Sequence, residues 1–146
     1  MSKNSLLLSG DQFFFDSIQG ANLLIPKALF FITGSGNSDV LKRKICVEGD
    51  ESSVVLPGIP YNTSTHSIPG VLICKIKSLA DDNISKKTFE LNKKALMVGD
   101  GNVEVEYIVA VPAIQPNTPP VPDIKPFYSG KGSFKPLIDM GIELDI

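Results

Sequence analysis

Short apolar runs separated by glycine, proline or Gly-Asp set the rhythm of this chain, the punctuation expected of a protein built from short β-strands. Runs at Gln12 to Phe15, Lys27 to Thr33, Lys44 to Val47, Ser53 to Leu56, Val71 to Ser78, Thr88 to Leu91, Ala95 to Val98 and Val103 to Val111 read as strands on their apolar, β-branched and aromatic content. The last is the clearest. Its Val103, Val105, Tyr107, Val109 and Val111 share one face, with Glu104, Glu106, Ile108 and Ala110 on the other, so it is expected to start half-solvated and to end buried on both faces. In Val71 to Ser78 the second half alternates apolar residues with lysine, which wets one face there. No segment has the spacing of a three-turn helix: Ile84 to Asn92 comes nearest and fails, and Ser17 to Leu24 has room for a turn or two. The predicted fold class is all-β, in a single small domain.

The last third of the chain differs in kind. Six of the eleven prolines fall between Pro112 and Pro126, removing backbone donors that sheet pairing needs and favouring extended or irregular chain. Aromatics return around two glycines in Phe127 to Phe134, and Leu137 to Ile146 interleaves apolar residues with acids. The expected organisation is a β domain over residues 1–113 and an extended proline-rich tail over 114–146. Its aromatics and isoleucines favour docking, on its own domain or on a partner, over free disorder.

Two stretches fifty positions apart nearly repeat each other. Leu41-Lys42-Arg43-Lys44-Ile45-Cys46-Val47-Glu48-Gly49-Asp50 and Leu91-Asn92-Lys93-Lys94-Ala95-Leu96-Met97-Val98-Gly99-Asp100 share a leucine, a basic pair, a mostly apolar run and a Gly-Asp stop. A partial third copy ends at Gly10-Asp11 after Leu6-Leu7-Leu8-Ser9. A strand and turn used repeatedly suggest a fold made by duplication.

Length and charge narrow the class further. A chain of 146 residues is one domain by the usual prior, and a formal charge of −2 argues against nucleic acid as a partner, which would call for a basic stripe. The N-terminal apolar stretch closes at Ser9-Gly10-Asp11, too short for a secretory signal, so the protein is expected in the cytoplasm unless a dedicated machine exports it. Ala28 to Thr33, the longest near-apolar stretch, is far shorter than a bilayer span.

Signatures of catalysis are missing, and no enzyme is expected. His66 is the single histidine and no serine sits in a Gly-x-Ser-x-Gly elbow; attack by Cys46 or Cys74 with His66 as base is the remaining nucleophilic option. Gly34-Ser35-Gly36 places Asp39 where a dinucleotide loop needs its third glycine, and Asp81-Asp82 lacks the further ligands of a calcium loop. Cys46, His66 and Cys74 are suitable metal ligands by type, although their spacing matches no zinc ribbon or finger. A structural zinc or iron ion is the cofactor they would imply.

With its strand Thr88 to Leu91, the unit Asn92 to Asp100 resembles the repeat of PAAR-repeat proteins; Arg43-Lys44 before Gly49-Asp50, and His66-Ser67-Ile68-Pro69-Gly70, resemble further parts of that pattern over roughly residues 1–113. Ala95-Leu96-Met97 stands where Pro-Ala-Ala would be, and one histidine does not reproduce that family's apical histidine cluster. The resemblance implies a conical, pseudo-threefold tip on the trimeric spike of a contractile injection system: type VI secretion, phage tails and phage-tail-like particles. The implied partners are a trimeric VgrG-like or phage-spike-like protein, effector cargo and, transiently, the target membrane. Phe13-Phe14-Phe15 or Val103 to Val111 would be the base contacts with the spike. Two other classes fit the residues: a β-rich baseplate or particle adaptor without a puncturing role, and a small hydrolase.

Overall fold

The computed structural model describes residues 5–26, 28–40, 42–90 and 92–137. Among these residues thirteen strands run in chain order: β1 (Gln12–Ile18), β2 (Asn22–Leu23), β3 (Ala28–Phe31), β4 (Asp39–Val40), β5 (Arg43–Lys44), β6 (Val55–Asn62), β7 (Gly70–Ser78), β8 (Ile84–Glu90), β9 (Lys93–Leu96), β10 (Val103–Val111), β11 (Ile114–Gln115), β12 (Val121–Pro122) and β13 (Phe127–Lys135). Seven of them form one antiparallel, strongly curled sheet in the order β2-β6-β7-β10-β13-β1-β3. Three two-stranded ribbons, β4-β5, β8-β9 and β11-β12, complete the strand set. The protein is all-β, as the punctuation implies. Ser17 to Leu24, given room for helix, instead ends β1 and contains β2, and Ile84 to Asn92 supplies β8.

Each Gly-Asp stop launches a strand of the sheet. Gly10-Asp11 leads into β1, Gly49-Asp50 passes through a single 3-10 turn (Asp50–Ser53) into β6, and Gly99-Asp100 leads into β10. The chain returns along β3, β7 and β13, so the sheet is three out-and-back pairs side by side. Register places Gln12, Phe31, Val55, Ser78, Val103 and Lys135 at the end next to the three stops. The opposite end carries Gly70, Val111 and Phe127.

Phe127 to Lys135 therefore does not trail from the domain as an extended tail beginning at residue 114 would. It lies inside the sheet between β10 and β1 and completes the third pair. Its residues Tyr128, Gly130, Gly132 and Phe134 are buried on one face, and the two glycines admit the backbone of β1 and the rings of Tyr107 and Phe13. The proline segment is the connection that spans from β10 to β13, with β11 and β12 as its own short ladder. Residues 138–146 lie outside the described residues.

Two further expectations change. Phe13, Phe14 and Phe15 are all buried, with Phe13 ring-stacked edge-on against Phe15 at 5.0 Å and Phe134 at 4.7 Å, so they form core rather than a base contact. Phe14 faces the other way and is covered by Lys135, whose Nζ sits 5.1 Å from the ring centre. In β10, Val103, Val105 and Tyr107 are buried and Glu104 is exposed as the alternation predicts, but Val111 is 53% exposed. Pairing with β7 slips by a bulge after Val109, leaving Val111 opposite Val71 at the sheet's far end, where packing stops.

Candidate functional site: a platform with three equivalent corners

The three repeats meet in a closed ring of backbone hydrogen bonds. Leu7 N–H donates to the Leu96 carbonyl, Leu96 N–H to that of Cys46, and Cys46 N–H to that of Leu7, each at 2.9 Å. A second set of three equivalent bonds obeys the same threefold relation with donation in the opposite sense: Ser9 N–H to the Lys44 carbonyl at 2.8 Å, Glu48 N–H to that of Lys94 at 3.0 Å and Val98 N–H to that of Ser5 at 2.9 Å. The bridges Leu6 with Met97, Leu8 with Ile45 and Val47 with Ala95 obey it too. Positions 7, 46 and 96 are thus equivalent, and each lies three residues before its Gly-Asp glycine. The arrangement is pseudo-threefold within a single chain.

Alternation gives this platform two apolar faces. Leu7, Cys46 and Leu96 plug the core of the curled sheet, each fully buried. Leu6, Leu8, Ile45 and Ala95 turn the other way and cluster with Val40 on the outer side. Burial here removes several large side chains from water at roughly 1.5–3 kcal/mol apiece before entropy is charged, which is why the duplicated runs are apolar.

Corners one and two are turns held by their own carboxylates. At corner one the Asp11 carboxylate accepts Leu8 N–H at 2.8 Å while Asp11 N–H returns to the Leu8 carbonyl at 3.0 Å; at corner two Asp50 does the same with Val47 at 2.8 and 2.9 Å. The glycines between have φ of 93°, 100° and 72° at Gly10, Gly49 and Gly99, the left-handed region that a side chain resists. Corner three is braced from outside: buried Asn83 donates to the carbonyls of Met97 at 3.1 Å and Val98 at 3.0 Å, and Asp82 accepts Asp100 N–H at 2.9 Å. Corner one carries a salt bridge, Arg43 Nη2 to Asp11 at 2.7 Å.

The three candidate ligands are not brought together. Cys46 occupies a ring position that is leucine in the other two repeats, and it behaves as a small hydrophobe there. Cys74 lies in β7 on the core face, and His66 sits at the far end of the sheet in the β6–β7 loop, where its Nδ1 is 2.9 Å from the Thr65 hydroxyl. Burial pushes the Cys46 thiol far up, helped by the charges of Asp50 and Asp11, and burial raises Cys74 to about 12. Among the described residues no group of three or more His, Cys, Asp or Glu side chains gathers for a metal. The set does not fit a shared zinc or iron ion.

One polar cluster had no sequence signal. Asp123, buried among the prolines, accepts hydrogen bonds from Tyr61 at 2.7 Å and Tyr128 at 2.5 Å, and Tyr61 in turn accepts Ala113 N–H at 3.0 Å. This pins the proline segment to β6 and β13 at the far end. Burial alone would raise the Asp123 carboxyl, but the bonds from Tyr128, Lys125 N–H and Tyr61 outweigh it and hold the group below the usual range. Tyr61 is raised to about 12, first by burial. A carboxyl depressed in the fold adds stability above its unfolded value, about 3.9, and that stability is lost as pH falls through the lower folded value. Denaturant midpoints measured from pH 7 down to pH 2.5 should therefore drop below about pH 4, and Asp123→Asn should flatten that acid limb. An unchanged limb would show the charge of Asp123 to be irrelevant.

No curated protein matches the chain. One family profile does, that of the contractile injection system spike tip protein, and it aligns with residues 1–141. This is a structural family and not a known enzyme family. With the platform, all three out-and-back pairs and the proline connection inside the match, the chain belongs to the contractile injection system spike tip family.

Proposed function

We propose that the platform end seats this protein on the blunt end of a trimeric β-helical spike, VgrG-like or phage-spike-like, and that the other end leads into the target membrane. The closed ring of hydrogen bonds through Leu7, Cys46 and Leu96 carries this reading. A single chain with three equivalent corners offers three similar contacts, so each subunit of a threefold partner finds one. The open end of a β-helix exposes unpaired backbone groups that a cap must cover. Ribbons β4-β5 and β8-β9 join the platform through β5 and β9, whose Lys44 and Lys94 carbonyls accept platform bonds, and among the described residues their outer strands β4 and β8 have no further strand beside them and keep edges for that pairing. Spike, particle and tip would then share one axis, and the work of the tip is mechanical.

Mixing the purified protein with the trimeric spike protein of the same particle and weighing the complex by native mass spectrometry tests this. One tip per three spike chains is the expected mass. A complex with three tips per trimer would sink the capping geometry.

A further inference from the structure

The end of the sheet opposite the platform presents a group of large apolar side chains to solvent among the uncharged polar residues of its loops. Ile68, Val111, Val121, Ile124 and Phe127 gather there at 45, 53, 40, 90 and 46% exposure. Backbone pairing brings them together: Ile68 bridges Ile114, Gln115 pairs with Val121, Val111 pairs with Val71 beside Gly70, and Phe127 opens β13. Grouped large apolar side chains on a surface mark a contact with something other than water.

The chemistry of this end favours lipid over a protein partner. Residues 62–70 and 111–127 contain only His66, Asp123 and Lys125 as ionisable groups; Asp123 is buried, and Lys125 lays its Nζ over the Tyr128 ring at 4.7 Å. Little charge would need to be stripped of water. Backbone donors are scarce too, because six residues of Pro112 to Pro126 are proline and have none. Several of the rest are already used: Ile68 and Ile114 exchange both bonds, Ala113 donates to Tyr61, and Asp123 donates to the Ala113 carbonyl. Unsatisfied donors are what a hydrocarbon environment penalises most. Ile124 also projects almost entirely into solvent, which suits insertion into a fluid interface, whereas a protein partner would need a matching hole.

We propose that this end is a preformed lipid-contact prow, in which Ile124 and its apolar neighbours enter the boundary between headgroups and acyl chains of the target bilayer. The Asp123 cluster acts as the stay that holds it rigid. The orientation of the prow rests on the capping reading above; the lipid contact itself does not.

The chain contains no tryptophan, so Ile124→Trp in the full-length protein places one emitter at the prow. With vesicles of pure phosphatidylcholine its emission should shift to the blue and be quenched by brominated acyl chains. Ile124→Asp combined with Val121→Asp should lower flotation with the same vesicles by about tenfold or more and leave the spike complex mass unchanged. Absence of a blue shift overturns the proposal, as does a shift seen only with phosphatidylglycerol vesicles and abolished by salt, which would mark a charge contact. A shift produced by the spike protein alone puts a protein partner on this end and also overturns it. Vesicle insertion without any spike complex would overturn the capping reading and leave the prow standing.

Discussion

Gly130→Ala is expected to cost about 3 kcal/mol of stability or more. β13 lies between β10 and β1, with Gly130 opposite Val105 on one side and Ile18 on the other. A Cβ there would fall on the Ser17 carbonyl oxygen and stand 2.9 Å from Cε2 of Tyr107, whose hydroxyl donates to that same carbonyl at 2.7 Å. The obstacle is backbone, so relief requires two central strands to part. Gly132→Ala meets the Phe14 carbonyl oxygen at 2.6 Å and should behave alike. Gly49→Ala is the control: nothing lies within 4 Å of its Cβ, and only its φ of 100° opposes a side chain, at roughly 1–2 kcal/mol. Urea denaturation at pH 7 separates the cases by midpoint. Since domains of this size hold about 5–15 kcal/mol, the first substitution should remove a large fraction of the total. Equal midpoints for Gly130→Ala and the parent would show that β13 does not occupy the sheet interior.

Asp11→Ala should be nearly as damaging, at about 3 kcal/mol. Its carboxylate is 1% exposed and accepts three donors: Leu8 N–H at 2.8 Å, Leu137 N–H at 3.0 Å and Arg43 Nη2 at 2.7 Å. Arg43 is 19% exposed, and its Nε and Nη1 reach no acceptor. Removing Asp11 would strand a largely desolvated guanidinium, the situation in which a buried pair costs most when broken from one side. Arg43→Leu should cost less, and the double variant should recover part of the Asp11→Ala loss. Asp50→Ala, whose partners Ser35 and Val47 leave no charge behind, should cost nearer 1 kcal/mol. A double-mutant cycle with no coupling between positions 11 and 43 would refute the account of corner one.

Much of the fold can be seen in the chain because its cues are local. The alternation in β10 and the Gly-Asp punctuation belong to neighbouring residues, and the glycine before each aspartate announces a positive φ that the structure contains at all three corners. Aligning the three stops also identifies Leu7, Cys46 and Leu96 as equivalents, which explains why a cysteine with suitable ligand chemistry is simply core. The resemblance to spike tips came from the same repeats and agrees with the family match.

What local cues could not carry is pairing between distant segments. Phe127 to Lys135 looks like the end of a proline-rich tail because its glycines and the prolines before it weaken every strand signal; it becomes a strand only when Phe13, Tyr107 and the β1 backbone fill the space its glycines leave. Phe13-Phe14-Phe15 is equally suited to a docking surface until β13 and β3 close over both its edges. Asp123 has no meaning in sequence, since Tyr61 is 62 residues away and the bond exists only because β6 and β13 reach the same end. The sequence by itself determined an all-β chain with a threefold repeat of strand and turn, because those are properties of adjacent residues. Tertiary structure alone decided that the three turns close into a ring and that the proline segment forms an apolar end opposite it, because both depend on contacts made only once distant strands align.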